Sequence, residues 1–232
     1  MKVIITLFIA LMPCIGFSQD EAKEQGGKKR ICRVLYLERS RNAPNIGHLF
    51  DGTKSHKVSL LGKNLSEELS LPTGKLSLSL TPGALANVAD TPKNAPLLNV
   101  PEGVGNFYII VTEDPDNKVF PVKMRLVDQA EHDFKLGQTL WVNMTEFKIV
   151  GKMGDKKLEI PPHTNVVGEA PLKASGYYKA TFSYQPDKKG EYMPIMRKSW
   201  WFDEKSKNVG FITSTRGTLP KIYSFRDKSL KP

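Results

Sequence analysis

The residues best suited to touching another molecule are gathered in one segment, Tyr192-Met193-Pro194-Ile195-Met196-Arg197-Lys198-Ser199-Trp200-Trp201-Phe202. In an extended strand alternate side chains share a face, so Trp201 lies with Ser199 and Arg197, while Trp200 and Phe202 point the other way. One aromatic face then packs a core, and the other presents an indole beside a guanidinium. That combination suits stacking on a sugar ring or anchoring a protein partner. Tyr192, Arg197 and Trp201 are therefore the expected ligand-binding residues, and Tyr177-Tyr178 offers a lesser version of the same arrangement.

Bond-breaking chemistry has less to stand on. His48, His56, His132 and His163 are far apart, and none sits in a metal-type spacing such as HExxH or CxxC. The sequence also lacks a GxSxG elbow, a phosphate-binding loop and a dinucleotide fingerprint. Glu67-Glu68, or Asp114 with Asp116, would serve glycoside hydrolysis only if two carboxyls faced each other across roughly 5 to 10 Å. Asp114-Pro115-Asp116-Asn117 already reads as a turn. Cys32 lies in the apolar run Ile31-Cys32-Arg33-Val34-Leu35-Tyr36-Leu37 and reads as a small buried residue rather than a nucleophile. No catalytic residue, metal or cofactor is expected.

The elements that must hold the aromatic segment are short strands. Alternating runs occupy Cys32 to Glu38, His56 to Leu61, Lys75 to Leu80, Asn106 to Glu113 and Phe120 to Val127. The style repeats at Thr139 to Asn143, Phe147 to Lys152, Lys157 to Ile160, Tyr177 to Tyr184, Met193 to Phe202, Val209 to Thr213 and Lys221 to Phe225. In Lys75-Leu76-Ser77-Leu78-Ser79-Leu80 the leucines fall at every second residue and share one face. Turn residues separate the runs at Asp51-Gly52, Pro72-Thr73-Gly74 and Asp114 to Asn117. Thr81 to Gly105, with four prolines and three glycines, reads as a long surface loop. No window carries apolar residues at helical spacing, so helix is limited to a short turn near Ala84 to Val88 or Gln129 to Phe134.

Two stretches run in similar order at an offset of about ninety residues: Arg33 to Glu38, His48 to Thr53 and Lys57 to Lys63 answer to Lys123 to Asp128, Leu140 to Thr145 and Phe147 to Lys152. Lys75 to Pro82 beside Lys179 to Pro186 fits with an insertion. On the strand Arg33 to Leu37 and the strand-turn Leu49-Phe50-Asp51-Gly52, the chain resembles the uncharacterised secreted immunoglobulin-like β-repeat proteins of bacterial envelopes, over most of residues 31–184. The repeat favours two tandem immunoglobulin-like modules over the alternative of a single larger sandwich, and the resemblance implies an all-β sandwich with an adhesion or scaffold role and brings no catalytic residues. Expected boundaries are a signal peptide at 1–18, a flexible tether at 19–30, modules at 31–121 and 122–226, and a tail at 227–232.

The N-terminal layout of Lys2, an apolar run from Val3 to Ile15 and small residues at Gly16 and Ser18 is that of a secretory signal, too short for the ~20 residues of a membrane span. Cys14 raises a lipoprotein reading, which Pro13 before it disfavours. The chain has 34 basic and 24 acidic residues, and loss of Lys2 with the signal leaves a net charge near +9. Such a surface attracts polyanions without selecting among them, and no sequence-specific nucleic-acid motif is present. The reading is a periplasmic or extracellular, noncatalytic binder of an envelope polysaccharide or protein. The alternatives are a polysaccharide-acting hydrolase with carboxylates drawn from separate loops, and a structural envelope subunit.

Overall fold

The computed structural model describes residues 29–129, 134–187, 190–214 and 219–227. The signal peptide, Cys14, most of the tether, His132 and the tail beyond Asp227 lie outside the described residues. Sixteen strands carry the chain: β1 (Lys29–Tyr36), β2 (Ile46–Phe50), β3 (Ser55–Ser59), β4 (Leu69–Pro72), β5 (Leu76–Thr81), β6 (Leu97–Val100), β7 (Phe107–Glu113) and β8 (Val122–Asp128), then β9 (Thr139–Asn143), β10 (Lys148–Met153), β11 (Lys156–Ile160), β12 (Asn165–Gly168), β13 (Gly176–Gln185), β14 (Met193–Phe202), β15 (Lys207–Thr213) and β16 (Lys221–Asp227). Among the described residues the helical content is one 3-10 turn at Val88–Asp90. The all-β reading holds.

The strands form four sheets, in the orders β3-β2-β5-β6, β4-β1-β7-β8, β12-β9-β15-β16 and β11-β10-β13-β14. The pairing of the first eight strands recurs strand for strand in the second eight, including a parallel pair, β1 with β7 and β9 with β15. The immunoglobulin order puts the first strand beside the second, whereas β1 lies between β4 and β7.

The recurrence sits one strand away from the offset expected above. Lys123 to Asp128 falls in β8, which pairs with β7 and so closes the first set of strands, and the strand that repeats β1 is β9. Generic alternation made β8 look like β1. The match of Lys75 to Pro82 with Lys179 to Pro186 does hold, because these are β5 and β13. The expected loop from Thr81 to Gly105 contains β6, whose four residues are too few to show a period, and β4 and β12 are short enough to be missed for the same reason.

Three apolar clusters order the sheets into layers, roughly 10 Å apart. Leu49, Leu78, Leu80 and Leu98 of the first outer sheet pack on Cys32, Val34, Tyr36, Ile109 and Val111 of the first inner sheet. The other face of that inner sheet, with Leu35, Tyr108 and Ile110, packs on Leu140, Val142, Val209 and Phe211 of the second inner sheet. Trp141 and Ile212 on the far side of the second inner sheet then meet Ile149, Ile160, Phe182 and Tyr184 of the second outer sheet. Covering on both faces favours consecutive apolar residues, which explains the runs Val34-Leu35-Tyr36 in β1 and Phe107 to Val111 in β7. Each such side chain contributes about 1.5–3 kcal/mol by leaving water.

Polar groups pin the layers. At the seam between the inner sheets, Asp227 accepts hydrogen bonds from Arg33 Nη1 (2.5 Å) and the Tyr108 hydroxyl (2.5 Å), and its side chain is only 1% exposed. Burial, then the Asp227 charge, pushes the Tyr108 phenol well above its ordinary range. Buried Arg30 donates to the carbonyls of Pro72 (2.9 Å), Val104 (2.8 Å) and Gly74 (2.6 Å), tying the end of β1 to two loops. Cys32 is completely buried, and burial raises its thiol far beyond the range where a thiolate forms. It behaves as the packing residue expected from its setting.

Candidate binding face

β14 holds the three residues singled out from the sequence, and its alternation is the expected one. Phe202 is 4% exposed, Trp200 packs inward against Trp141 (ring centroids 6.1 Å apart, stacked) and Phe182 (6.0 Å), and Trp201 turns outward at 51% exposure. Arg197 and Ser199 share the outward face. Sequence reasoning underrated Tyr177. It stands opposite Trp201 in the antiparallel pair of β13 with β14, 72% exposed, with the two rings edge to face at 5.0 Å. Tyr178 points inward, and burial pushes its phenol up to about 12.

Strand register extends this face. Lys157 on β11 lies opposite Lys152 on β10, Lys152 opposite Thr181 on β13, and Thr181 opposite Arg197 on β14, so three cations and a threonine form one row across all four strands. Lys179 opposite Ser199 makes the next row, and Tyr177 opposite Trp201 the one after. From the aromatic row to the arginine row is four residues, about 13 Å of strand. Lys152, Lys157, Lys179 and Arg197 are exposed and make no ion pair within the described residues. Lys152, Asp155, Leu172, Lys179, Arg197 and Ser199 line a hollow of about 700 Å³ on this surface.

Tyr192 does not join them. It precedes β14, nine residues from Trp201 and about 30 Å away along an extended chain. Its hydroxyl sits instead by Lys148, whose ammonium is held above its ordinary value by a hydrogen bond to Glu159 at 2.6 Å and further by Tyr192. The lysines were unreadable as a group because they come from three strands, and only the register sets them side by side.

The face offers aromatic planes and fixed cations, and no acidic residue stands in its three rows. That chemistry stacks on apolar ring faces and pairs with anionic groups. Asp51, the acidic partner of His56 (2.8 Å), also holds the hairpin turn through Thr53 and Lys54 in the first half. Asp114 and Asn117 close the turn expected of them. Among the described residues no three His, Cys, Asp or Glu side chains gather where a metal could sit. Two carboxylates, Glu38 and Glu113, do line one cleft of about 540 Å³ with Lys123 and Lys221. No family model matches the chain, and no curated protein matches it either.

Proposed function

We propose that this chain is an exported, noncatalytic protein of two tandem β-sandwich modules, one ending with β8 and the other beginning with β9, which binds an acidic envelope polysaccharide on the outer face of β10, β11, β13 and β14. The supporting observation is the Tyr177–Trp201 pair, exposed and in line with Lys179, Arg197, Lys152 and Lys157. The rings stack on the sugar and the cations meet its carboxylate or phosphate groups. Stacking gives selectivity that scattered surface lysines lack. Among the described residues no helix is long and apolar enough to cross a membrane.

The test is affinity electrophoresis of the purified chain through gels containing polygalacturonate or the neutral polymer dextran. Retardation by polygalacturonate that falls at least ~10-fold in affinity, about 1.4 kcal/mol, with Trp201→Ala and again with Arg197→Ala is the expected result. Equal retardation of wild type and both variants would reduce the effect to net charge.

The hydrolase alternative has one specific observation, the cleft shared by Glu38 and Glu113. Both carboxylates are engaged there: Ser40 N donates to Glu113 at 2.8 Å, and Thr213 and Tyr223 donate to Glu38 at 3.1 and 3.2 Å. Release of reducing ends that is abolished by Glu113→Gln would favour it. The structural-subunit reading would use β14 as an open edge, but Pro194, the irregularity at Phe182/Ser183 and the charges of Arg197 and Lys198 all oppose edge pairing.

A further inference from the structure

A second concavity shares Lys198 with the hollow on the proposed glycan face and is otherwise lined by different residues. Where β14 and β16, the edge strands of the second outer and inner sheets, stand apart, they leave a groove of about 840 Å³. Its apolar surface comes from Met196 and Trp200 on β14, Ile222 and Phe225 on β16, and Leu61 from the first half of the chain. Leu61 is 42% exposed, an apolar residue left open to water at the rim. An apolar concavity of this size with polar groups at its edge is the usual form of a small-molecule site.

The charges around it are one-sided. Arg39, Lys63 and Lys198 line the groove, against a single carboxylate, Glu38. Glu38 is already balanced, with Lys221 Nζ at 3.9 Å and hydrogen bonds from Thr213 and Tyr223. Arg39 is partly committed to its own loop through the Ala43 carbonyl at 2.7 Å and the Asn45 side chain. Lys63 and Lys198 make no ion pair within the described residues, so two ammonium groups are free to meet an anion over an apolar floor. Glu38 also holds a left-handed backbone, with φ of 54°, at the lip of the groove. A non-glycine residue kept there costs about 1–3 kcal/mol and is a feature that gathers at ligand sites.

We propose that the groove between β14 and β16 binds a free amphiphile with an apolar body and a single anionic head, a fatty carboxylate or acyl phosphate, the chain lying on Met196, Trp200 and Ile222 and the head held by Lys63 and Lys198. Trp200 makes the site observable, because a heavy atom on the ligand's apolar end quenches its fluorescence.

The experiment titrates the full chain with 12-bromododecanoate, kept monomeric, and with the uncharged 12-bromododecanol. The expected result is saturable tryptophan quenching by the carboxylate, with the alcohol at least ~10-fold weaker. Lys63→Glu with Lys198→Glu, both changes on exposed side chains, should weaken the carboxylate at least ~10-fold and leave the unfolding midpoint in place. Trp201→Ala should retain the quenching, which separates this site from the glycan face. Absence of saturable quenching, equal binding of acid and alcohol, or an unaffected double variant overturns the proposal. Quenching seen only with bromolipids in phosphatidylglycerol vesicles overturns it as well, by making the surface a membrane contact.

Discussion

The two outer sheets have the same strand order and put their residues to different use. In the first, β5 and β6 are six and four residues long and a loop joins them at Pro82–Pro96; in the second, β13 and β14 are ten residues each and the connection is short. The loop lies on the first sheet, with Leu85 bonded to Ser55 Oγ at 2.8 Å and Thr81 Oγ1 to Gly83 at 2.7 Å, and it leaves Ser79 and Thr81 buried on what would have been an open face. The longer strands leave the second face open. The registers show the contrast residue by residue: Leu76 pairs with Val100 as Gly176 pairs with Phe202, and the next row is Ser77 with Asn99 in one sheet and Tyr177 with Trp201 in the other. One scaffold therefore carries an exposed polar row, Ser77 with Asn99, and an exposed aromatic one. What each outer face offers to a ligand depends on which residues the shared register brings to the surface.

The largest effect should come from what the halves share. Asp227→Ala removes the buried carboxylate that pairs with largely covered Arg33 and accepts from Tyr108, and should lower stability by about 3 kcal/mol in urea unfolding. Because the seam belongs to both inner sheets, wild type should unfold in a single transition, and separate transitions would mean that the halves stand alone. Next comes a contact peculiar to the second half. Gly210 faces the Trp141 ring so closely that a Cβ would lie 2.3 Å from it, whereas the first half packs Val34 beside Ile109. Gly210→Ala should cost about 1–3 kcal/mol and shift the Trp141 near-ultraviolet signal.

Exchanging the aromatic row for its counterpart tests the comparison directly. Tyr177→Ser with Trp201→Asn gives the second sheet the polar row of the first, and it should abolish polygalacturonate retention with stability changed by no more than about 0.5 kcal/mol. Retention that survives would place the ligand elsewhere. The smallest effect is expected in the first half. Burial alone would raise the Asp51 carboxyl, but hydrogen bonds from His56, Lys54 and Thr53 outweigh it and hold the group below its ordinary value of 3.8. A carboxyl lowered in the folded state stabilises above its unfolded value and loses that contribution as pH falls through the folded one. Asp51→Asn should cost about 1 kcal/mol at pH 7 and progressively less as pH falls below 3.8, read from urea midpoints along the pH series.

Much of the architecture was legible because two-residue alternation is written into each strand, and Met193 to Phe202 coincides with β14 end to end. The outward turn of Trp201 follows from the same period. Pairing partners were not legible, since β8 and β1 obey the same alternation and only hydrogen bonding between distant segments separates them. The lysines of the proposed binding face stayed hidden for that reason, as did the groove, whose Leu61, Lys198 and Tyr223 meet through packing between halves. Tyr192 stands apart from Trp201 because nine residues of extended chain span about 30 Å.

The Arg33–Asp227 contact also brings the start of the first strand and the end of the last into one neighbourhood, since Lys29 lies only four residues before Arg33. A short linker from residue 227 back to residue 29 would then close the fold into a ring. Cutting that ring within the loop at Pro82–Pro96 would yield a circular permutant with both new ends on the first outer sheet, leaving the aromatic face on the opposite outer layer clear for immobilisation or fusion.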